Sequence, residues 1–122
     1  MRIVFISGPL WSPFWWGRLL NIWRAWRAAW RFWRAGNAVI CPHTNSGLLT
    51  LLPLCGPWIE GTGRYLDGHI EMIARLNPGL DQVHFVGNWR MSSGASLEYR
   101  AATRRGLVCT FDQGCGPWPE AE

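Results

Sequence analysis

Residues 92–98, which read SSGASLE, combine small side chains, hydroxyls and one carboxylate in an order that could bind an anion and do chemistry beside it. Ser92, Ser93 and Gly94 follow an apolar run, and Glu98 comes about one turn into the helix expected next. Small residues at a strand-to-helix turn let a ligand approach the backbone, and the first N–H groups of the helix attract phosphate. The positive end of the helix dipole attracts a carboxylate at this position, which makes Glu98 a candidate nucleophile. Ordinary helix capping explains the same pattern, so both interpretations stay open.

The elements that would position these residues alternate between apolar runs and helical patterns, which predicts a parallel sheet with crossover helices. The sequence predicts strands at about 2–7, 38–42, 82–87 and 107–111, and helices at about 18–35, 64–76 and 94–105. We expect one α/β domain over residues 1–122, a three-layer Rossmann-like (flavodoxin-like) fold with a small parallel sheet and an irregular tail from about residue 112. Ligands of such sheets bind beyond the carboxyl ends of the strands, where the turn at Ser92 is expected.

Motif content excludes several function classes. No P-loop and no GxGxxG occurs, which argues against a kinase or a dinucleotide oxidoreductase. The three histidines and four cysteines show no metal-ligand spacing, so we expect neither a metal nor a cofactor. The N-terminus lacks the features of a signal peptide, and no apolar stretch is long enough to cross a membrane. A reduced, cytoplasmic protein is the simplest expectation.

The first half of the chain is basic, since residues 1–59 hold six arginines and no acidic residue. Four of these arginines lie in the segment WRAWRAAWRFWR of the helix predicted at 18–35, and they form a stripe beside a face of tryptophans. Its apolar arc of roughly 220° is too wide for one sheet face to cover. We expect the remaining tryptophans to meet a partner subunit in a homodimer or larger oligomer. A nucleic-acid or membrane-surface role for the arginine stripe is the less favoured alternative.

Four segments resemble, in order and spacing, the nucleoside 2-deoxyribosyltransferase-like superfamily, and in particular its small bacterial and phage members. They are VFISGPL, RAAWRFWRAGNAVICPHTNS, YLDGHIEMIARL and VGNWRMSSGASLEYRAATRRGLVCTF, and the resemblance covers about residues 2–111. Its most specific part is the set Ser92, Gly94, Ala95 and Glu98 after a strand, together with Asp67 on the preceding helix. The resemblance implies an enzyme that cleaves the N-glycosidic bond of a nucleotide or transfers its deoxyribosyl group.

The resemblance also implies a role for each matching residue. Glu98 would attack the anomeric carbon of the sugar, and Asp67 would assist proton transfer at the base. Members that act on nucleoside 5′-monophosphates tend to carry serine six residues before the nucleophile, and here that residue is Ser92. A hydroxyl can donate to a phosphate, whereas a carboxylate would repel it. The substrate contacts expected in this way are Ser92, Ser93, Gly94, Gly8, Phe5 and Arg90, although Arg90 is equally explained as a solvated loop residue.

One departure from the family concerns Phe5, because several members carry a tyrosine near the catalytic glutamate at this position. The missing hydroxyl leaves turnover open and supports an alternative, a non-catalytic nucleotide-binding protein such as a sensor or a ligand sponge. Segment 45–63 would cover the base, whose identity the sequence does not reveal. Ribose against deoxyribose, and hydrolysis against transfer, also stay open. The expected location is the bacterial cytoplasm, or the host cytoplasm for a phage protein.

Overall fold

The computed structural model describes residues 1–45 and 64–112, which form an α/β fold around a small parallel sheet. Its strands are β1 (Ile3–Ser7), β2 (Ala38–Ile40), β3 (Gln82–Phe85) and β4 (Val108–Phe111). Its helices are α1 (Trp15–Arg34), α2 (Pro42–Asn45), α3 (Arg64–Ala74) and α4 (Ser93–Arg104), with a 3-10 turn at Trp89–Met91. The predicted fold class is confirmed, while α2 and the 3-10 turn are additions to the predicted elements.

The four strands lie in the order β2-β1-β3-β4 and all run parallel, which is the arrangement of a Rossmann-like sheet. β1 and β3 lie at the centre, and β1 reads as an almost continuous apolar run because both of its faces are covered. Phe5 pairs with Ile40 on one side and with Val83 on the other. The carboxyl ends of all four strands therefore point to one edge of the sheet.

Helices cover both faces of the sheet and give the fold three layers. On one face, Phe5 and Phe85 pack against side chains of α3 and α4 in a core that includes the buried Trp89. On the other face, Val4 and Ile6 pack against the small side chains of α1. Residues alternate between the two faces along each strand, so Ser7 lies on the same face as Phe5.

The turn after β1 passes very close to the end of β3. A Cβ atom at Gly8 would lie 2.5 Å from Val86 Cγ2 and 2.8 Å from the Val86 carbonyl oxygen. Only glycine fits this approach without displacing the backbone of one strand. Glycine at position 8 therefore allows the turn after β1 to lie against the turn after β3.

α1 buries one narrow side and exposes the rest. Its sheet-facing residues include Ile22, Ala25 and Ala28, and the opposite side carries exposed tryptophans and arginines. Gly36, just past the end of the helix, has φ +91° and donates its N–H to the Trp33 carbonyl, a backbone conformation that favours glycine at a helix C-terminus. Within residues 1–45 and 64–112, no helix is both long and apolar enough to cross a membrane.

Candidate active site

Glu98 is a buried carboxylate on the sheet-facing side of α4. Its side chain is only 9% exposed, and its Oε1 atom lies 3.6 Å from Nδ1 of His69 on the neighbouring helix α3. Its second oxygen, Oε2, has no hydrogen-bond partner among the residues that the structure describes. A buried carboxylate is normally paired and fully hydrogen-bonded, because an unmet acceptor in the interior costs about 1–3 kcal/mol. Oε2 of Glu98 is thus available to contact a ligand.

His69 is the neighbour of Glu98 that the sequence analysis missed. The residue is buried, and its ring meets Phe5 edge-on with 6.0 Å between ring centroids. The histidines lack metal-ligand spacing, so that criterion does not single out His69. A usable signal was present, however, because His69, Ile73 and Leu76 follow the spacing of one buried helix face. Phe5 therefore contacts the candidate site through the His69 ring.

His43 adds a second buried imidazole close to the same carboxylate. Its Nε2 atom lies 3.1 Å from the carbonyl oxygen of Pro9, and since a carbonyl only accepts, Nε2 carries the proton and donates it. Nδ1 is then an acceptor, and it has no partner within residues 1–45 and 64–112. Burial lowers the pKa of His43, against the raising effects of the Pro9 hydrogen bond and the charge of Glu98. The ring is therefore neutral at pH 7.

Ser7 is another buried polar residue on the face of the sheet that α3 and α4 cover. Its side chain is buried, and within the described part of the chain Oγ has no hydrogen-bond partner. Ser7 lies at the carboxyl end of β1 on the face that α3 and α4 cover, two residues beyond Phe5. Three elements thus contribute unmet polar atoms to this side of the sheet: Ser7 Oγ, His43 Nδ1 and Glu98 Oε2. Such a concentration is typical of a ligand site rather than of a packed core.

Ser92 is the N-cap of α4, as the capping interpretation predicts. Its Oγ atom accepts a hydrogen bond of 3.2 Å from the N–H of Ala95. The hydroxyl proton can still be donated, and the N–H groups of Ser93 and Gly94 have no acceptor inside the helix. Capping and anion binding are therefore compatible at this turn.

A cavity of about 390 Å³ opens beside the capping serine. The residues that line it are Pro9, Trp11, Asn21, Arg24, Asn88, Met91, Ser92 and Ser93. Arg24 gives the cavity a positive charge, which suits an anion. Glu98 is not among the lining residues; it lies on the order of 8 Å along the axis of α4 from Ser93, at 1.5 Å per residue.

The structure gives a packing reason for one of the remaining predicted substrate contacts and not for the others. A Cβ atom at Gly94 would be in ordinary contact with Leu66 Cδ1 at 3.7 Å, so packing does not demand glycine there. Gly8, by contrast, is accounted for by its approach to Val86. Arg90 is exposed, and its guanidinium lies 5.8 Å from the centre of the Trp89 ring. The structure does not bring Arg90 to the buried cluster around Glu98.

Asp67 lies on a different side of α3 from His69. Two residues correspond to about 200° around a helix, and Asp67 is exposed while His69 is buried. The buried neighbour of Glu98 is thus His69, and the role of Asp67 stays a prediction. Segment 45–63, predicted to cover the base, lies outside the described residues except for Asn45.

Comparison of this chain with protein-family models, with curated proteins and with solved structures finds no match. Within the described residues, no group of three or more His, Cys, Asp or Glu side chains is arranged to hold a metal ion.

Proposed function

We propose that this protein cleaves the N-glycosidic bond of a nucleoside 5′-monophosphate, by hydrolysis or by deoxyribosyl transfer, with Glu98 as the nucleophile. The observation that carries the proposal is the buried Glu98 carboxylate, whose Oε2 atom lacks a partner among the described residues while Oε1 lies near His69. The sequence resemblance to deoxyribosyltransferase-like enzymes supports the same assignment. Nucleoside 5′-monophosphates are cytoplasmic metabolites, so the proposal includes a cytoplasmic location.

The chemistry follows the double displacement of a retaining glycosidase. A carboxylate oxygen of Glu98 forms a bond to the anomeric carbon, the C–N bond breaks, and the base leaves with the bonding electron pair and takes up a proton from solvent. Water, or a second base, then attacks the same carbon, loses a proton to solvent and releases Glu98 as a carboxylate. His69 holds Glu98 in place through the 3.6 Å contact and offers it a hydrogen-bond donor during this exchange.

Recognition of the phosphate is assigned to the turn at the start of α4. The Ser92 hydroxyl and the first-turn N–H groups of Ser93 and Gly94 offer donors, and Arg24 supplies charge from the wall of the adjoining cavity. The distance along α4 from this turn to Glu98 is one that a phosphorylated sugar can bridge. Neutral His43, with an acceptor at Nδ1, is suited to accept a proton from a sugar hydroxyl or a water.

A second candidate, a nucleotide-binding protein without turnover, has one observation in its favour. Phe5 contacts His69 through a ring edge and offers no hydrogen bond at a position where related enzymes tend to carry tyrosine. Such a protein would use the same pocket and leave the glycosidic bond intact.

Incubation with a panel of nucleosides and their 5′-monophosphates, followed by chromatography for free base, separates the two candidates. The proposal expects base release from monophosphates and its loss in Glu98→Ala. Tight binding without release, measured by calorimetry on the same panel, would assign the protein to the sensor class instead. Neither release nor binding of any member of the panel would contradict both.

A further inference from the structure

The outer side of α1 presents an apolar surface that the proposed reaction does not use. Six tryptophans on this helix are between 49% and 69% exposed: Trp15, Trp16, Trp23, Trp26, Trp30 and Trp33. At 100° per residue they fall within about 100° of the helix circumference, and Leu19 lies in the same sector. We name this sector the tryptophan face.

The tryptophan face is larger than the apolar patches of ordinary monomers. Six half-exposed indole side chains leave on the order of 700 Å² of aromatic surface in contact with water, whereas the largest patch on a monomer is usually about 300–600 Å². Trp11 and Phe14, just before the helix, add to it with 62% and 55% exposure. A groove of about 630 Å³ between Trp26, Trp30 and β2 extends the apolar surface toward the sheet edge.

Charge on α1 lies directly beside the tryptophan face. Arg24, Arg27, Arg31 and Arg34 occupy the adjoining sector of about 80°, and α1 contains no acidic residue. The Arg27 guanidinium lies 4.8 Å from the centre of the Trp23 ring, so cation and aromatic surface are joined. Arg31 is the member of this group with an ion pair to Asp112.

We propose that the tryptophan face of α1 lies on an anionic lipid bilayer, with the arginines against the lipid headgroups. Tryptophan is enriched at the interface between lipid and water, and a helix with an apolar face beside a basic one binds in the plane of that interface. Charge complementarity favours this occupant over a second copy, because α1 of a second copy would bring further arginines and no acidic residue to pair with them. The cytoplasmic leaflet of a bilayer carries negative charge, which can pair with these arginines because α1 has no acidic residue to do so.

Docking in this orientation places the bilayer on the opposite side of the sheet from the helices that carry Glu98 and His69. α1 covers one face of the sheet, whereas Glu98 and His69 lie on the face covered by α3 and α4. The two proposals share Arg24, which lines the cavity assigned to the phosphate and which the variants below leave unchanged. Either proposal can therefore fail without the other.

Flotation with vesicles tests the proposal on the full-length chain. Vesicles of phosphatidylcholine alone are compared with vesicles of phosphatidylcholine and phosphatidylglycerol in equal parts. We expect binding to the anionic vesicles, weakened by added salt. The double variant Trp26→Gln, Trp30→Gln should lower the partition coefficient by at least tenfold, and Arg27→Gln, Arg34→Gln by on the order of tenfold.

Matched controls carry the same chemical changes on the opposite side of the molecule. Arg100→Gln, Arg104→Gln removes two exposed arginines of α4, and Met72→Gln, Leu97→Gln replaces two exposed apolar residues of α3 and α4. Both controls should bind within twofold of the wild type, with circular dichroism melting used to confirm that every variant is folded. Equal losses in control and test variants would overturn the proposal.

Other occupants of the tryptophan face give distinct results. No flotation, together with a dimer in light scattering that the tryptophan variant converts to a monomer, would assign the face to a second copy. Binding to duplex DNA that depends on Arg27 and Arg34 but not on the tryptophans, without flotation, would assign the arginines to nucleic acid. Either result overturns the lipid proposal.

Discussion

Each face of the sheet buries a histidine beside a carboxylate, but the two pairs differ in how completely they are hydrogen-bonded. Under α1, His84 places Nε2 2.9 Å from Asp112 Oδ1 and Nδ1 2.8 Å from Thr110 Oγ1. Gln82 donates to the same threonine oxygen, so the threonine hydroxyl donates to Nδ1 and the His84 Nε2–H donates to Asp112. Arg31 completes the chain with a contact of 2.8 Å to Asp112. We call these residues the α1-face network.

The pair on the other face, Glu98 with His69, is incomplete by the same criterion. Glu98 Oε2 and His43 Nδ1 have no partner among the described residues, whereas every ring nitrogen of His84 does. A satisfied network rigidifies a fold, while unmet polar atoms lower its stability and persist where a ligand uses them. From this difference we infer a structural role for the α1-face network and a catalytic role for the cluster around Glu98.

The largest expected effect is on base release. Glu98→Gln should lower the rate by at least about 10³-fold, because an amide cannot act as the nucleophile. The free energy of unfolding should change by less than about 1 kcal/mol, since the amide keeps the shape and Oε2 loses no hydrogen bond. Steady-state kinetics and urea denaturation measure the two quantities. A variant that retains activity but unfolds readily would reverse the assignment of the two regions.

Replacement of His69 should have an intermediate effect on the same reaction. His69→Asn removes the imidazole that contacts Glu98 and should lower kcat by roughly 10- to 100-fold. Asp67→Asn, two residues away on the exposed side of α3, should lower it by less than about threefold, because this carboxylate is directed away from the buried pair. Parallel kinetic measurements on the two variants decide between the residues. The reverse order would support the role that the sequence resemblance gives to Asp67.

The matching experiment on the α1-face network concerns stability. Asp112→Asn weakens the charge-assisted hydrogen bonds from Arg31 and His84 and should lower the free energy of unfolding by about 1–2 kcal/mol. Base release per folded molecule should stay within twofold of the wild type. Chemical denaturation and the substrate assay together check this result, and a selective loss of activity would mean that the network takes part in catalysis.

The smallest effect is a dependence of stability on pH. Burial lowers the pKa of His84 in the folded protein, despite the raising effect of Asp112, so the unfolded chain binds more protons below about pH 6.5. The free energy of unfolding should therefore fall as the pH drops below about 6.5, by at most about 1.4 kcal/mol per pH unit for this histidine. His84→Gln should reduce the slope of the free energy of unfolding against pH, which urea denaturation at several pH values can measure. Identical slopes in the wild type and the variant would contradict this expectation.

Much of the fold could be predicted because strand and helix periods are local properties of the sequence. The apolar run at Ile3–Ser7 and the capping serine before α4 are examples, and both lie within two residues of their predicted places. Only part of the candidate site could be predicted from the sequence in this way. Glu98 stands out as a lone carboxylate after a glycine and serine turn, but His43 and His69 meet it only through the packing of α2, α3 and β1. No spacing within one segment encodes that meeting.

The exposed tryptophans illustrate the opposite case. The sequence correctly predicts an apolar arc too wide for the sheet, because helical periodicity alone determines the arc. What covers the arc depends on a second surface, and a single chain does not specify it. Charge beside the tryptophans is the only local property that bears on the choice, which is why it carries the lipid proposal.

The central claim is that Glu98 becomes bonded to the sugar during turnover. Acid quenching of the protein while it releases base, followed by proteolysis and mass spectrometry, tests this directly. We expect a sugar phosphate attached to the peptide that contains Glu98, and no attachment in Glu98→Gln. An unmodified Glu98 peptide in the wild type, together with base release by Glu98→Gln at the wild-type rate, would contradict it.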